Sequence, residues 1–512
     1  MIARDGYQIS LWQDTVPPYQ CANTVSEQGN YDVIIAGGGI TGISTALLLQ
    51  KEGKRCLVLE ANTLCFGTTG GTTAHLNTLL DTPYTTIRKN FNGEAAKLVA
   101  DATASAIQLI RDNIREYKIE CGFDETTAFL FSQNESEDKE LESIAGASSE
   151  AGLDLRFPSA IPVPVPFTAA MEALGQAKFN PVQYVYALAK EFERRGGHIR
   201  QQCRVTGVKE SGQIEVGTSS GTYNCTDLVY ATHIPPGVNL LHLRCIPYRS
   251  YAMAVTLKDG NYPESLAYDM KDPYHYYRSQ EINGQSYLIA GGEDHKTGEE
   301  INTITKFTEL EAHVRKYFAV DEVAYRWSSQ YFEPADGLPY IGHLPGHPEH
   351  VYVATGFGGN GMVYSGVAAM VIRSLIKNEE TDLSKLFNPN RLKPVAGFTS
   401  FIGHNAHVAG ELISRLFSGE KMQELSALAQ GEGRMVEYEG EKIAVFKNDD
   451  GAIHAISPVC THLKCEVKWN GAERSWDCPC HGARYNVDGK VLTGPADRDV
   501  AKINLQTLVE EK

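Results

Sequence analysis

The sequence predicts an α/β nucleotide-binding domain interleaved with a substrate domain built on an antiparallel sheet, followed by a small all-β module. Three observations carry that prediction. Tyr31 to Ala61 alternates strand, glycine turn, helix and strand. Stretches near residues 180–235 and 335–385 bring back the same strand and turn chemistry after long insertions. From Leu428 the chain breaks into short strands around two loops rich in cysteine and histidine. At 512 residues it is too long for one hydrophobic core.

Composition narrows the function classes. With 42% hydrophobic and 21% charged residues the chain has the make-up of an ordinary soluble globular protein. A net charge of −16 argues against nucleic acid, which calls for a basic stripe, and against an anionic membrane surface. Met1-Ile-Ala-Arg-Asp-Gly6 has no basic start followed by an apolar run, so no signal peptide is expected. Seven of the eleven cysteines (21, 56, 65, 121, 203, 225 and 245) are scattered singly, which fits a cytoplasmic location.

Residues 1–30 read as an N-terminal extension. Asp32 to Ala36 is then a short apolar strand, and Gly37-Gly38-Gly39-Ile40-Thr41-Gly42 turns into a helix that runs to Glu52 and stops at Gly53. Cys56 to Leu59 is the second strand, and Glu60 and Ala61 close it. This is a dinucleotide fingerprint in full context. Its glycines allow the tight turn and close approach, its helix N-terminus takes the pyrophosphate, and its acid takes a ribose hydroxyl. Alone it does not separate FAD from NAD.

The next residues do: Cys65-Phe66-Gly67-Thr68-Thr69-Gly70-Gly71-Thr72-Thr73-Ala74-His75. As a sequence pattern this could be a flexible polar loop. It also resembles the loop that wraps the pyrophosphate and flavin ring in the D-amino acid oxidase, sarcosine oxidase and glycine oxidase family of FAD-dependent oxidoreductases. That resemblance covers about residues 28–385. It implies FAD held by Gly37, Gly39, Ile40, Thr41, Gly42, Glu60, Ala61, Thr68, Thr69, Gly70, Thr72 and Thr73. Relatives with histidyl-linked flavin carry the histidine where this chain has Gly71, so non-covalent FAD is implied.

Glu94 to Tyr117 is a long helix, with Val99, Ala102, Ala106 and Ile110 at helical spacing. From Thr126 to Phe179 the pattern reads as short strands and a proline-rich passage. Asn180-Pro181 opens a helix to Arg195, and strands at Ile199–Val208 and Asp227–Thr232 return to the nucleotide domain. The family resemblance places Val205 by the adenine and Thr232 near the pyrophosphate. Tyr248–Leu257 and Tyr274–Asp294 have the strand character of a substrate sheet. Tyr276 and Arg278 fall on one face of such a strand, where the pair could meet a substrate carboxylate. The plainer reading is a surface strand with an ion pair. Gly291 to Lys296 reads as a polar loop.

Gly356, Gly358 and Gly361 repeat the glycine spacing, within Thr355-Gly356-Phe357-Gly358-Gly359-Asn360-Gly361-Met362. No second strand and acid follow the helix from Met362 to Lys377, so a second nucleotide is not implied. The stretch resembles instead the family's C-terminal motif, with Gly356, Gly358, Gly359, Asn360, Gly361 and Met362 at the flavin and the helix N-terminus facing its pyrimidine end. Val351 to Ile372 is charge-free and about as long as a membrane span, and this reading accounts for it as a buried helix.

Asn388 to Pro394 opens a linker with a helix at about 405–417. Short strands at Met435–Tyr438, Lys442–Phe446 and Ile453–Ile456 follow. Cys460-Thr461-His462 and Cys478-Pro479-Cys480-His481 then offer two thiolates and two imidazoles from two loops. That set suits a [2Fe-2S] centre with two cysteines on one iron and two histidines on the other, and tetrahedral zinc is the rival. The loops resemble those of Rieske proteins. The resemblance implies Cys460, His462, Cys478 and His481 as cluster ligands and a disulfide between Cys465 and Cys480, as in high-potential members. It also implies a Tyr485 hydroxyl donating to a cysteine sulfur. Ala483 stands where those members carry a serine that bonds a bridging sulfide, which points to a lower potential, and Lys464 replaces a glycine.

The expected fold class is therefore an α/β FAD-binding Rossmann-like domain interleaved with an α+β antiparallel-sheet substrate domain, plus a C-terminal all-β Rieske domain. Expected boundaries are 31–385 for the flavin part, with FAD segments at about 31–90, 180–235 and 335–385 and the substrate domain at about 91–179 and 236–334. The linker is expected at 386–425 and the Rieske domain at 426–512. A flavin takes two electrons and such a cluster one. The family resemblance implies oxidation of an amine or amino-acid C–N bond, and the added cluster implies that the electrons leave through it, at exposed His462 and His481, to an external protein or quinone acceptor. A flavin/Rieske electron-transfer reductase without an amine substrate, or a redox sensor, is the alternative.

Overall fold

In the computed structural model the described residues are all except 1, 3, 24, 27, 392–427, 439–440 and 505–512. The helix expected at 405–417 lies outside them.

The nucleotide layer is a sheet whose central strand is Gln28–Ala36, apolar over Val33–Ala36 where both faces are covered. It pairs in parallel with Cys56–Leu59 on one side and Gly221–Tyr230 on the other. His198–Arg200 and Val351–Thr355 extend the sheet in parallel at its two sides, and Tyr340–His343 adds an antiparallel edge. The strand expected over Ile199–Val208 is thus two strands, His198–Arg200 and Val205–Ser211. The second belongs to a hairpin hung on Gly221–Tyr230.

Helices Ile40–Lys51, Pro181–Arg194 and Gly361–Ile376 pack together over this sheet. Asn180 caps the second, accepting from Val182 and Gln183 N–H, as its Asn-Pro start predicts. The long helix Gly93–Tyr117 joins this layer rather than the substrate domain. It lies so close to Gly361–Ile376 that a Cβ on Gly366 would stand 2.8 Å from Ala106 Cβ.

The second sheet runs Val320–Pro334, Cys245–Leu257, Gln285–Lys296, Tyr276–Ile282, Leu266–Asp269, Asp124–Ser132, Ala169–Lys178 and His75–Leu76. It is antiparallel except where Leu266–Asp269 meets Asp124–Ser132. Two readings change here. Gly291 to Lys296 is strand, not loop, paired with Tyr248–Ala252 across a bulge. Between Ser132 and Ala169 stands a helix, Glu135–Glu150, capped by Asn134. Its narrow buried face (Leu141, Ile144 and Ala145) is masked in the sequence by acidic and serine residues.

The C-terminal module contains one three-stranded and one four-stranded sheet around buried Trp476, Tyr485 and the cysteine loops. It is docked by buried charge. Arg484 pairs with Asp477 and with Asp5, Arg249 with Asp477, and Arg4 with Glu473. The N-terminal residues are therefore a strap across both parts. Among them helix Leu11–Thr15 braces the Gly/Thr loop, with Trp12 Nε1 donating to Thr72 O at 2.6 Å and Gln13 Nε2 to Cys65 O at 2.9 Å.

Candidate active site

One cavity runs from the glycine turn to the second sheet. At its nucleotide end Gly37 has φ +113°, and a Cβ there would meet Ala231 O at 2.4 Å. Helix Ile40–Lys51 begins with no side-chain cap from Gly39, and its N-terminus faces the cavity, the place where a helix favours an anion. Thr69 Oγ1, from the Gly/Thr loop, accepts the Ile40 N–H at 3.1 Å. Glu60 accepts from Gly38 N–H at 2.7 Å and Asn62 N–H at 2.8 Å, and burial raises its pKa. This cradle fits a dinucleotide.

Gly37, Gly39, Ile40, Thr41, Glu60, Ala61, Thr68, Thr69, Thr72, Thr73, Val205 and Thr232 all line the cavity, as do Gly358, Gly359, Asn360, Gly361 and Met362. Gly42, Gly70 and Gly356 do not line it; they pack behind its wall. A Cβ on Gly42 would come within 1.9 Å of Gly37 O, and one on Gly70 within 2.3 Å of Cys65 O. Gly356 has φ +74° and closes on Cys245 and Pro334. The Gly359 N–H before the last helix donates to Asp81 at 2.7 Å.

The far end is a chamber lined by Tyr268, Tyr274, Tyr276, Ser250, His75 and Asp294. Ser250 Oγ lies 2.9 Å from Tyr276 OH and donates to Asp294, whose other oxygen accepts from Tyr331 OH at 2.8 Å. Burial pushes Asp294 up to about 7. Tyr276 is thus brought to the chamber, but Arg278 is not. Its guanidinium is buried against the Gly/Thr loop, donating to Thr73 O, Ala74 O and Phe179 O at 3.1, 2.7 and 3.2 Å, and it does not line the cavity. The alternation that puts both on one face is local. The strand's depth below the Gly/Thr loop decides what each side chain reaches. Among the lining residues the only lysine or arginine is Arg204, at the Glu60 end.

The cysteine loops meet as the resemblance to Rieske proteins implies. Cys465 and Cys480 are disulfide-bonded. Tyr485 OH lies 3.2 Å from Cys460 Sγ and accepts the Thr461 N–H at 3.1 Å. Hydrogen bonding between the two thiols pulls Cys460 down to about 7 and pushes Cys478 up. His462 Nδ1 is buried without a hydrogen-bond partner. Two adjacent thiols, a locked loop pair and an imidazole nitrogen held open fit a [2Fe-2S] cluster.

The two sites touch. Leu492, Thr493, Gly494, Ala496 and Asp497 of the C-terminal module line the flavin cavity, and Arg204 donates to Val491 O at 2.9 Å. The exposed imidazole exit is corrected. His462 and His481 are only 9% and 2% exposed, and both face His242 of the flavin part, with ring centroids 4.7 and 6.2 Å away. Burial, then the neighbouring His462, lowers His242 to about 3. The signals that could have marked these residues were weak. Asp294 sits in a glycine-rich polar stretch, and His242 stands alone in a leucine-rich turn.

Comparison with known proteins agrees with both sites. The FAD dependent oxidoreductase (DAO) family model matches residues 32–375, and that of the Rieske [2Fe-2S] domain matches residues 420–504. YhfW of Bacillus subtilis (strain 168), named as a Rieske 2Fe-2S iron-sulfur protein, is 32% identical over 94% of this chain and 95% of its own. Gamma-glutamylputrescine oxidoreductase of Escherichia coli (strain K12) is 22% identical over 72% of this chain and 89% of its own. Glycine oxidase from Geobacillus kaustophilus superposes with a TM-score of 0.59 over 71% of this chain and 99% of its own, at 18% identity, a likeness of fold. Among the described residues no helix is long and apolar enough to cross a membrane. The charge-free run is divided between strand Val351–Thr355 and helix Gly361–Ile376.

Proposed function

Because the chain belongs to the FAD dependent oxidoreductase family and carries a Rieske [2Fe-2S] domain, we propose that it oxidises the C–N bond of an amine, drawn in as its cation and reacting as the neutral amine once the ammonium proton has left, and hands the electrons to an external acceptor. When bound, FAD supplies two-electron oxidation and the cluster one-electron transfer. The observation that carries the amine reading is the charge of the chamber. Among the described residues Asp294 lies in it and no arginine or lysine does, whereas an amino-acid carboxylate calls for a cation such as the one expected at Arg278. The tyrosines around Asp294 offer faces to an alkylammonium group. Ser250 and Tyr331 orient its carboxylate.

The chain's own residues also favour a coupled pair of sites. The C-terminal module walls the flavin cavity, and Gln330 spans from that cavity to the second cluster loop. The external acceptor, a protein or quinone, then approaches a face of the module other than its imidazole edge, which the flavin part covers.

The test is anaerobic mixing of purified protein with amines, N-methyl amino acids, D-amino acids and nicotinamide nucleotides, followed by flavin absorbance and cluster EPR together. Bleaching by a carboxylate-free amine, followed by a cluster signal, is expected. Reduction by nicotinamide or a protein donor alone would sink the amine reading and leave a reductase.

A further inference from the structure

His242 is buried within a short turn, Leu240–Leu243, on the flavin side of the boundary. Its Nε2 stands 2.8 Å from the carbonyl oxygen of Pro235. A carbonyl only accepts, so Nε2 carries the hydrogen and Nδ1 of the neutral ring carries a lone pair. That lone pair accepts the Asn239 N–H at 3.2 Å and faces His462 Nε2 at 3.0 Å. Two lone pairs would repel at that distance, so His462 Nε2 must be the donor. Its ring then has one basic nitrogen left, Nδ1, the atom that is buried with no hydrogen-bond partner. The Gly237 backbone faces the same imidazole as a second acceptor.

We propose that His242 is a positioning residue for the cluster: reaching across the domain boundary, it fixes His462 in the tautomer and orientation that present Nδ1 to iron, and it lowers the cluster's potential. The second effect follows from the first. An acceptor on the far N–H makes the ligating nitrogen more basic, and a more basic ligand favours the oxidised iron. The arrangement also lets the flavin part set the electronics of a ligand it does not itself supply. The inference rests on the cluster assigned above and not on the amine.

The full-length protein and two variants, His242→Leu and His242→Asn, test it. Leucine cannot accept a hydrogen bond, whereas the asparagine amide oxygen falls near the place of Nδ1. Each is titrated with dithionite at one fixed pH, followed by EPR and circular dichroism, and challenged with an iron chelator. His242→Leu is expected to shift the one-electron equilibrium at least tenfold toward reduction, about 59 mV upward. Its affinity for iron should fall about 10–100-fold. His242→Asn is expected to recover most of both. An unchanged potential, EPR signal and chelator resistance in His242→Leu would overturn the proposal. Should His242→Leu take up no cluster, His242→Asn decides. A potential close to that of the unmodified protein sustains the role, and one raised by about 59 mV or more, a tenfold shift of the one-electron equilibrium, overturns it. Dithionite needs no substrate, so a failed amine assignment leaves this result intact.

Discussion

Gln330 donates from Nε2 to the carbonyl of Gly482 at 2.8 Å, while its own carbonyl accepts from Thr68 Oγ1 at 3.2 Å. One residue therefore holds both the loop expected to wrap the flavin and the loop that carries His481. Its other amide atom, Oε1, accepts from Thr297 at 3.1 Å, so the side chain is fixed at both ends.

Replacing Gln330 with leucine leaves the Gly482 carbonyl buried without its donor, a cost of about 1–3 kcal/mol. The expected outcome is a lower melting temperature together with slower appearance of the cluster EPR signal after flavin reduction. Rapid-freeze EPR beside stopped-flow absorbance checks it. Equal rates in the two proteins would show that the contact holds the loops without serving the transfer.

Asp294 gives the amine reading a pH signature. Burial raises its pKa to about 7, so the free chamber gains a negative charge as pH rises through that value. A cationic substrate binds the ionised form, so kcat/KM should climb through a limb near pH 7, and Asp294→Asn should lose the limb along with most of the affinity. Steady-state pH profiles of the two proteins decide it. A limb that survives in Asp294→Asn belongs to another group.

The docking charges behave in the opposite sense. Burial acts to raise Asp5 and Asp477, but the surrounding guanidiniums, Arg484 first, outweigh it and hold both carboxyls below the usual range. Depressed carboxylates contribute stability that is complete above the unfolded value near 3.9 and is lost as pH falls through the folded values. The C-terminal module should therefore come away from the flavin part in acid before either part unfolds, visible as a new protease-sensitive state. Arg484→Met takes the shared guanidinium from Asp5 and Asp477 and leaves them only Arg4 and Arg249, so it should weaken docking and bring that transition to higher pH.

The sequence was most legible where local chemistry dictates structure. Gly42 must be glycine because of a contact within one turn, with Gly37 O, and Cys460, His462, Cys478 and His481 draw attention by their spacing. Arg278 was misplaced because strand alternation says which face a side chain takes, not what lies above it. Here Thr73, Ala74 and Phe179 carbonyls claim the guanidinium first. The role of residues 1–30 and the contact of His242 with His462 were illegible for a related reason. Asp5 and Arg484 stand at opposite ends of the chain, and no local pattern reports a partner that distant.

The separability of the two cofactors can be tested directly. Cys460 Sγ is approached by Tyr485 OH and by the Cys478 thiol, all within the C-terminal module, whereas docking depends on Asp5, Arg484, Asp477 and Arg249. Cys460→Ser replaces a thiolate with a hydroxyl that does not ionise, and the cluster should not assemble. The Cys465–Cys480 disulfide and the buried charges still hold the module against the flavin cavity. Cys460→Ser is therefore expected to retain FAD and to be bleached by the same amine. It should show no cluster EPR signal and fail to reduce a one-electron acceptor. Loss of FAD together with iron would mean instead that the loaded cluster loops, more than the charge network, keep Leu492 to Asp497 closed over the flavin.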